Sequence, residues 1–404
     1  MNKTIYDCII IGGGVSGISF AHYLHTSGKK VLVLEQESKA GGQIKTLPSA
    51  TKEGYWRELG AHTCYNSYTH LLSVVKDIDG KDLIQPLGKG SYVTFADRQI
   101  KKMFAKMSVL PMMINGWKVF FAKKENKTVK EYFSKIVGRT NYDKLFRYLF
   151  RAVISQNADN YPAQMFLKRR NGRFKEFPRK YTFTKGISSF IDAIIEKDGL
   201  QVVASSTVES IEKLADGYKL TMAQGEEYQA TNIALATDPQ TSAKLLADIE
   251  PALSGLLATI PLYHTESLNV VVPKDRLDMD AIAGIISLSD DFHSAVSRDL
   301  VEDDKVRSFT FHFRKGEKAD DEKYRIILNV LNILPADIQE ANEVKHILPS
   351  LEIQHIGMAG KVVQARRHDD IFILGNYFYG LSIEDCINRS HDEWLRYKEP
   401  LRSS

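Results

Sequence analysis

Residues 5–35, IYDCIIIGGGVSGISFAHYLHTSGKKVLVLE, decide the fold of this chain. Residues Ile5–Ile11, which end in the apolar run Cys8–Ile11, predict a buried strand that ends where the glycines begin. Apolar residues at helical spacing follow, and Val31–Leu34 predicts a second buried strand. A strand, a tight turn, a helix and a second strand in this order are typical of a parallel sheet covered by helices. We therefore predict an α/β protein.

The turn itself, GGGVSG, has the GxGxxG spacing of a dinucleotide-binding turn. Gly12 allows the tight turn, Gly14 lets the backbone approach a diphosphate, and Gly17 lets the helix pack closely on the strand. Val15 and Ser16 begin the helix, where unpaired N–H groups and the helix dipole favour phosphate charge. We predict that this turn binds a dinucleotide.

Glu35 closes the second strand, and Gln36 follows it. A carboxylate at this position can accept hydrogen bonds from both hydroxyls of an adenosine ribose. This pattern indicates a ribose without a 2′-phosphate. We expect Glu35 and Gln36 to lie at the adenosine end of the site.

The composition is that of an ordinary globular protein, and it excludes several classes of function. Of the 404 residues 43% are apolar and 26% are charged, and the net charge is only +4. This balance is too even to indicate a nucleic-acid-binding protein, and the length suggests two or three domains. The three cysteines are far apart, which argues against disulfides and against a cysteine zinc site, and we predict no metal site. The first residues do not have the pattern of a signal peptide, and no apolar run is long enough to span a membrane. We therefore expect a cytoplasmic protein, with peripheral membrane association as the alternative.

A second glycine pair lies in KAGGQIKT, residues 39–46, and ELGAH follows at residues 58–62. Together with the GxGxxG turn, these segments resemble the flavin amine oxidase and protoporphyrinogen oxidase superfamily, and the protoporphyrinogen oxidase-like branch most closely. The resemblance implies FAD as the cofactor. It also implies FAD contacts from six residues of these segments: Gly41, Gly42, Gln43, Gly60, Ala61 and His62. Gln43 stands where the family usually has arginine.

The C-terminal segment resembles the last motif of the same superfamily. An apolar run predicts a strand that ends at Gly375, and a helix is predicted to run from Ser382 to about Tyr397. Ser382 is the predicted N-cap, with Asp385 in a variant of the capping box. The resemblance implies that this helix begins beneath the flavin, with Asn376 in place of the usual acid. It implies flavin contacts from five residues: Gly375, Asn376, Leu381, Ser382 and Ile383.

Residues 201–235 show the alternation of short strands joined by tight turns. This stretch resembles the part of the family that returns to the nucleotide. The resemblance implies contacts to the cofactor from Val208, Ala236 and Thr237.

These motifs are far apart in the chain, so we expect a discontinuous FAD-binding domain. Its fold is predicted to be Rossmann-like, with a parallel sheet and helices as in glutathione reductase, beside a mixed α+β substrate domain. The expected FAD-binding parts are residues 1–85, 185–250 and 356–404. The expected substrate-domain parts are a helical region, residues 86–184, and a sheet, residues 251–355.

Residues 101–180 are basic and are predicted to be mostly helical. Within them, MFAKMSVLPMMINGWKVFF at residues 103–121 is flanked by lysine pairs, and Pro111 and Gly116 are expected to break it into short pieces. We interpret it as core helices with a solvated edge. The alternative is a peripheral membrane contact with lysines at the headgroups. The basic run 168–180 is interpreted as a solvated face; alternatively it binds substrate carboxylates or anionic lipid.

Beyond residue 260, alternating residues predict strands over 264–273, 283–288 and 306–313. We expect them to form an antiparallel sheet that covers the flavin. The polar candidates on this sheet are His264, His312 and Arg314.

One position departs from the protoporphyrinogen oxidase pattern. In that family a basic residue often precedes an aromatic residue of the strand that follows the FAD segment, where it can bind a propionate. Here Ser91 precedes Tyr92. Serine cannot make a charged, bidentate contact. Either Lys89 or the basic run 168–180 binds the carboxylate, or the substrate is different.

The predicted function is FAD-dependent oxidation of a small organic substrate, with hydride transfer from a C–H bond to the flavin. The chain shows no Ser-His-Asp, metal or P-loop motif, and the pattern identifies no catalytic residue. Because no second GxGxxG offers a site for NAD(P)H, oxygen or a quinone is the expected acceptor. Two alternatives stay open: a non-redox isomerase like UDP-galactopyranose mutase, which also has Gly-Ala-His after its FAD segment, and a non-catalytic flavoprotein that binds a partner.

Overall fold

The computed structural model describes residues 4–170 and 172–399. The strands are β1 (Ile5–Ile11), β2 (Val31–Leu34), β3 (Thr46–Pro48), β4 (Trp56–Glu58), β5 (Cys64–Tyr65), β6 (Ile84–Pro86), β7 (Tyr92–Ala96), β8 (Gln99–Lys102), β9 (Lys180–Phe183), β10 (Gln201–Val203), β11 (Val208–Leu214), β12 (Gly217–Met222), β13 (Glu227–Leu235), β14 (Leu262–Pro273), β15 (Gly284–Ser287), β16 (Ser294–Ser297), β17 (Val306–Arg314), β18 (Glu340–Pro349) and β19 (Ile371–Ile373).

The helices are α1 (Val15–Thr26), α2 (Thr69–Asp77), α3 (Val109–Asn115), α4 (Val129–Val137), α5 (Arg139–Asn141), α6 (Arg147–Ile154), α7 (Ser188–Asp198), α8 (Pro239–Leu246), α9 (Pro251–Ala258), α10 (Asp320–Leu331), α11 (Met358–Ala365) and α12 (Ile383–Lys398). A π-helical turn (Tyr142–Phe146) joins α5 to α6. Short 3₁₀ turns lie at Gly80–Leu83, Gly116–Phe120, Ala163–Met165, Lys274–Arg276, Pro335–Asp337 and Ile353–His355.

The first sheet has the strand order β10-β2-β1-β13-β12-β11, and β19 pairs with the end of β13. The strands β10, β2, β1, β13 and β19 are parallel, whereas β11 and β12 add an antiparallel ribbon. This confirms the predicted Rossmann-like α/β fold. The sheet takes its strands from three separate stretches of the chain, near the N-terminus, around residues 201–235 and at 371–373. The domain boundaries drawn from the sequence stay predictions.

Continuous apolar runs make the central strands of the first sheet buried on both faces, as parallel strands covered by helices require. The whole of β2 is buried, and so are Ile9 and Ile10 of β1. On one face α1 packs between α7 and α12. The glycine that ends β1 and the glycine that begins α1 therefore lie at the carboxyl edge of the sheet.

The second sheet has the order β18-β14-β17-β16-β15-β7-β8. The predicted strands beyond residue 260 are present as β14, β15 and β17. The sheet is mixed rather than purely antiparallel, because β7 from the earlier part of the chain lies parallel to β15. The phenylalanines of β17 and the apolar face of α10 share one core.

The favoured interpretation of residues 103–121 as core helices is wrong. Neither α3 nor the 3₁₀ turn Gly116–Phe120 contains a buried residue. Pro111 does not break the segment, because it lies in the first turn of α3, where its missing N–H has no intrahelical acceptor. Gly116 does end α3, as predicted. Residues 101–180 are only partly helical, since most of the described residues after α6 are irregular.

Among residues 4–170 and 172–399, each helix is too short or too polar to cross a bilayer.

Candidate active site

A cavity of about 1480 Å³ lies at the carboxyl edge of the first sheet. One wall is formed by residues that follow β1, β2, β13 and β19, and another by residues of β14, β17 and β18. The volume exceeds the ~300–1000 Å³ that a single drug-sized ligand fills. The cavity can therefore hold a dinucleotide and a second molecule, at the sheet edge where α/β proteins bind ligands.

Two glycine segments meet on the cavity wall. Gly12 has φ +106°, and a Cβ there would lie 2.8 Å from the Ala236 carbonyl oxygen. A Cβ on Gly42 would lie 2.9 Å from the Gly14 Cα, and the Gly41 N–H donates to the Gly13 carbonyl at 2.9 Å. The bare backbone of both turns faces the cavity, so a ligand can approach it closely.

The N-terminus of α1 opens onto the same wall through Val15 and Ser16. Gly14 is the N-cap, and within the described residues no side chain caps this helix end and no acid lies in its first turn. Backbone N–H groups without a helical acceptor remain available there, and the helix dipole adds partial positive charge. These groups fit a diphosphate.

Of the cofactor-binding residues predicted from the sequence, all but Gly17 line this cavity. Gly17 lies behind the turn, where a Cβ would lie 2.0 Å from the Gly12 carbonyl oxygen. Its place in the set of contact residues is therefore corrected: Gly17 allows α1 to pack against β1, and it does not contact the cavity.

Glu35 is buried at the end of β2, and two backbone groups hold its carboxylate. Its Oε2 accepts from the Gly13 N–H at 2.7 Å, and its Oε1 accepts from the Glu37 N–H at 2.8 Å. Each carboxylate oxygen keeps acceptor capacity for a further hydrogen bond. Val208 lies on the same part of the wall, which suits an adenosine.

Gln43 connects the second glycine pair to the second sheet. Its side-chain oxygen Oε1 lies 3.0 Å from His346 Nδ1, and the Leu59 carbonyl oxygen lies 2.7 Å from His346 Nε2. Burial lowers the pKa of His346. The glutamine that replaces the usual arginine therefore serves the junction between the two sheets.

Two histidines face each other inside the cavity. His62 Nε2 lies 3.3 Å from His312 Nε2, and His312 Nδ1 lies 2.9 Å from Ser267 Oγ. Removal from bulk water lowers the pKa of His62 to about 3. Burial lowers the pKa of His312 well below its ordinary value, and His62 adds to this effect. Both rings are neutral at pH 7, with one donating to the other.

The N-terminus of α12 forms the end of the wall below Asn376. Ser382 is the N-cap, as predicted, and its Oγ accepts from the Asp385 N–H at 3.1 Å. The Asp385 carboxylate accepts a hydrogen bond from the Ser382 hydroxyl at 2.7 Å. In a full capping box it would accept from the Ser382 backbone N–H, so this second hydrogen bond of the predicted motif is missing. Burial alone would raise the pKa of Asp385, but Lys168 and Arg170 hold it below its ordinary value.

Five of the seven basic residues of the run 168–180 line the cavity, and they form two groups. Lys168 and Arg170 bind Asp385 at 2.7 and 3.2 Å, so they are structural. Three further basic residues are exposed and line the cavity: Arg169, Arg173 and Lys175. An anionic group at the cavity mouth would lie next to them.

Some sequence candidates lie elsewhere. His264 is exposed on the second sheet, and Arg314 pairs with Glu317 at 2.8 Å, so neither lines the cavity. Lys89 and Ser91 also lie outside the lining, whereas Arg169, Arg173 and Lys175 of the basic run line the cavity.

The sequence analysis missed Thr265 and Ser267 on β14. Both residues are buried, and both line the cavity. Their polar neighbours on the same strand, His264, Glu266 and Asn269, interrupt any alternation of polar and apolar residues, so the sequence pattern did not single them out.

A dinucleotide-type turn on one sheet and a second sheet across the cavity define a two-sheet α/β protein of the cofactor-binding kind. Residues 15–273 match the family described as flavin-containing amine oxidoreductase, and this chain belongs to that family. The family is flavin-containing, so the cofactor is a flavin.

Individual relatives are distant. Over 298 residues the chain is 24% identical to a flavin-containing amine oxidase of Danio rerio, a match that covers 65% of this chain and only 56% of that protein. A protein from Exiguobacterium sp. 255-15 assigned as a protoporphyrinogen oxidase has a TM-score of 0.77 at 13% identity, covering 98% of this chain and 99% of its own. The CLA-producing fatty acid isomerase from P. acnes has a TM-score of 0.75 at 13% identity, with the same coverage. These two structures share the fold.

Proposed function

We propose that this protein is an FAD-dependent oxidoreductase that removes a hydride from a C–H bond of an apolar substrate carrying a carboxylate. The observation that carries the proposal is the continuity of the cavity. One space joins the two glycine turns of the first sheet to His312, Thr265 and Ser267 of the second sheet. Cofactor and substrate can meet there away from bulk water.

The residues present fit FAD. Glu35 offers acceptors for a ribose, and the free amides at Val15 and Ser16 offer donors for a diphosphate. The segments at Gly60 and at Leu381 line the same cavity. A bound flavin supplies the two-electron acceptor for the hydride.

The histidine pair is expected to position the substrate rather than to remove a proton. A general base works best when its pKa is near the working pH. The pKa of His62 is about 3, so the ring remains neutral at pH 7 and is a poor base. The contact between the two Nε2 atoms and the contact of His312 Nδ1 with Ser267 leave His62 Nδ1 to form a hydrogen bond with a polar group of the substrate, without introducing charge.

The substrate class follows from the rest of the lining. Phe166, Ile347 and Leu348 supply apolar surface, and the exposed Arg169 and Arg173 supply positive charge at the mouth. An apolar body with a carboxylate fits this arrangement. Two proteins that share this fold are named as a protoporphyrinogen oxidase and a fatty acid isomerase. We propose a porphyrinogen as the first substrate to test, with oxygen or a quinone as the acceptor.

The test uses the purified protein and its visible spectrum. The bound flavin is extracted and identified, and the protein is mixed anaerobically with protoporphyrinogen, coproporphyrinogen, a long-chain fatty acid or an aliphatic amine. Rapid loss of the flavin bands with a porphyrinogen supports the proposal. Loss with the amine alone overturns the substrate class. Conversion without net oxidation indicates an isomerase, and a flavin that never cycles indicates a binding protein. Rapid reduction by NADPH would count against the proposed acceptor.

A further inference from the structure

An exposed apolar surface covers residues 104–121, which we call the 104–121 surface. Of the 19 large apolar side chains exposed among the described residues, nine lie in this segment: Phe104, Val109, Leu110, Met113, Ile114, Trp117, Val119, Phe120 and Phe121. Folded proteins rarely leave so much apolar area in one place unless it binds something.

The segment is anchored to the protein on its inner side. Asn141 bonds the Ser108 backbone in both directions at 2.8 Å. Met107 and Met112 pack on the main core, and Pro111 lies against Gly138. The outer side chains are therefore exposed because the inner ones are fixed, and the exposure is a property of the fold.

The charge around the 104–121 surface is one-sided. The segment itself contains no acid, and Glu125 is the single acid in residues 101–127. Seven lysines lie in the same range: Lys101, Lys102, Lys106, Lys118, Lys123, Lys124 and Lys127. Asp97 already pairs with Lys101 and Lys106 at 2.9 Å. Apolar and aromatic side chains surrounded by lysines are typical of a protein surface that lies in the interface of an anionic bilayer. The centre of a protein–protein interface, by contrast, is depleted of lysine.

The cavity mouth adjoins this surface. Lys124 Nζ, just beyond the segment, donates to the carbonyls of Phe166 and Leu167 at 2.8 and 3.1 Å. Phe166 and Leu167 line the cavity, and so does Val153. Leu167 and Val153 are each 55% exposed, so the mouth itself has an apolar rim.

We propose that the 104–121 surface binds the headgroup–acyl boundary of an anionic lipid bilayer and places the cavity mouth at the membrane. The contact is interfacial: α3 has seven residues, far too few to span a bilayer. The lysines lie at the phosphates, and Trp117 and the phenylalanines enter the acyl boundary. Entry of an apolar substrate from the lipid is a corollary that rests on the proposed function, whereas membrane binding does not.

The test is co-sedimentation of the full chain with vesicles of phosphatidylcholine alone or of phosphatidylcholine mixed with phosphatidylglycerol. We expect binding to the mixed vesicles that weakens with salt. Phe120→Ser with Phe121→Ser should reduce the bound fraction at least about tenfold, because both side chains are exposed and would lose burial in lipid. Leu110→Ser should weaken binding. Leu334→Ser is the matched control and should not, because Leu334 is 69% exposed and Leu110 is 67% exposed but Leu334 lies outside the 104–121 surface.

Charge is tested by Lys102→Gln with Lys123→Gln, and Lys185→Gln is the control away from the surface. Only the first pair should weaken binding to the anionic vesicles. Unchanged binding by the phenylalanine variant would overturn the proposal. So would a wild-type protein that ignores vesicles but self-associates through this surface, as sedimentation velocity would show. Flavin content and turnover of detergent-dispersed substrate should survive in the phenylalanine variant, which separates failure here from failure of the proposed function.

Discussion

His62 and His312 face each other with 3.3 Å between their Nε2 atoms. His62 belongs to the segment that follows β4, and His312 belongs to β17 of the second sheet. The contact therefore joins two parts of the chain that are 250 residues apart, inside the cavity. Both rings are neutral in the folded protein, and this neutrality has a measurable consequence.

The neutral histidines should make the protein sensitive to acid. The pKa of His62 falls from 6.5 to about 3 on folding, so between these values the unfolded chain binds a proton that the folded chain does not. The free energy of unfolding is therefore higher above about pH 6.5, and it decreases as the pH falls from about 6.5 to about 3. His312→Gln removes one ring of the pair, so the free energy of unfolding, measured in urea, should change less between pH 7.5 and pH 5 than it does in the wild type. His264→Gln, on an exposed histidine of the same sheet, is the control, and an equal effect of both variants would contradict the prediction.

Glu58 should have the opposite effect. Burial raises the pKa of its carboxyl to about 8, although the Ile187 N–H and the Thr46 hydroxyl both donate to it. The folded protein then holds a proton that the unfolded chain releases near pH 4.5, so stability from this group falls as the pH rises from about 4.5 to about 8. Glu58→Gln keeps the shape and removes the titration. We expect the free energy of unfolding of the variant, minus that of the wild type, to be larger at pH 8.5 than at pH 5.5. The same difference at both pH values would refute this.

The close approach of the two glycine turns should be essential for flavin binding. Gly42→Ala places a Cβ 2.9 Å from the Gly14 Cα, so the turns must separate. Gly28→Ala is the matched control, because Gly28 also has a positive φ but has nothing within 4 Å of its Cβ position. Each substitution costs about 1 kcal/mol of backbone strain. Only Gly42→Ala should lower the flavin-to-protein ratio, by about tenfold or more, and equal flavin content in both variants would show that the approach is not needed.

The exposed arginines at the cavity mouth should act on substrate binding. Arg169→Gln or Arg173→Gln should raise KM for a carboxylate substrate about fivefold, since an exposed ion pair contributes up to about 1 kcal/mol. The value of kcat should not change, and the methyl ester of the same substrate should not distinguish variant from wild type. Arg179→Gln, an exposed arginine outside the cavity lining, is the control. A change in kcat with an unchanged KM would exclude this role.

Local patterns predicted much of the first sheet and its turns. The apolar residues before Gly12 and the apolar run before Glu35 predicted β1 and β2 with the bounds that the structure has, because strands covered on both faces are rich in apolar residues. Ser382 was predicted as the N-cap of α12 from its position before an amphipathic run, and the structure confirms it. These features depend on neighbours that are close in the sequence.

The interpretation of residues 103–121 failed for a physical reason. Periodicity shows that a helix has an apolar face, but it does not show whether another element covers that face. Here the protein covers only the side that carries Met103, Met107 and Met112, and Phe120 and Phe121 stay exposed. His264 and His312 were equivalent candidates in the sequence. In the folded protein His312 pairs with Ser267 across β14 and β17, and both line the cavity, whereas His264 does not.

The sequence by itself determined the class of this protein, because the geometry of a tight turn, the free amides of a helix end and the packing of a buried strand are local requirements of particular residues. The tertiary structure decided the chemistry of the substrate side. Gln43 meets His346, and His62 meets His312, only because β18 and β17 of the second sheet lie beside the segments that carry Gln43 and His62. Contacts between residues hundreds of positions apart depend on how two sheets pack, and no local pattern encodes that arrangement.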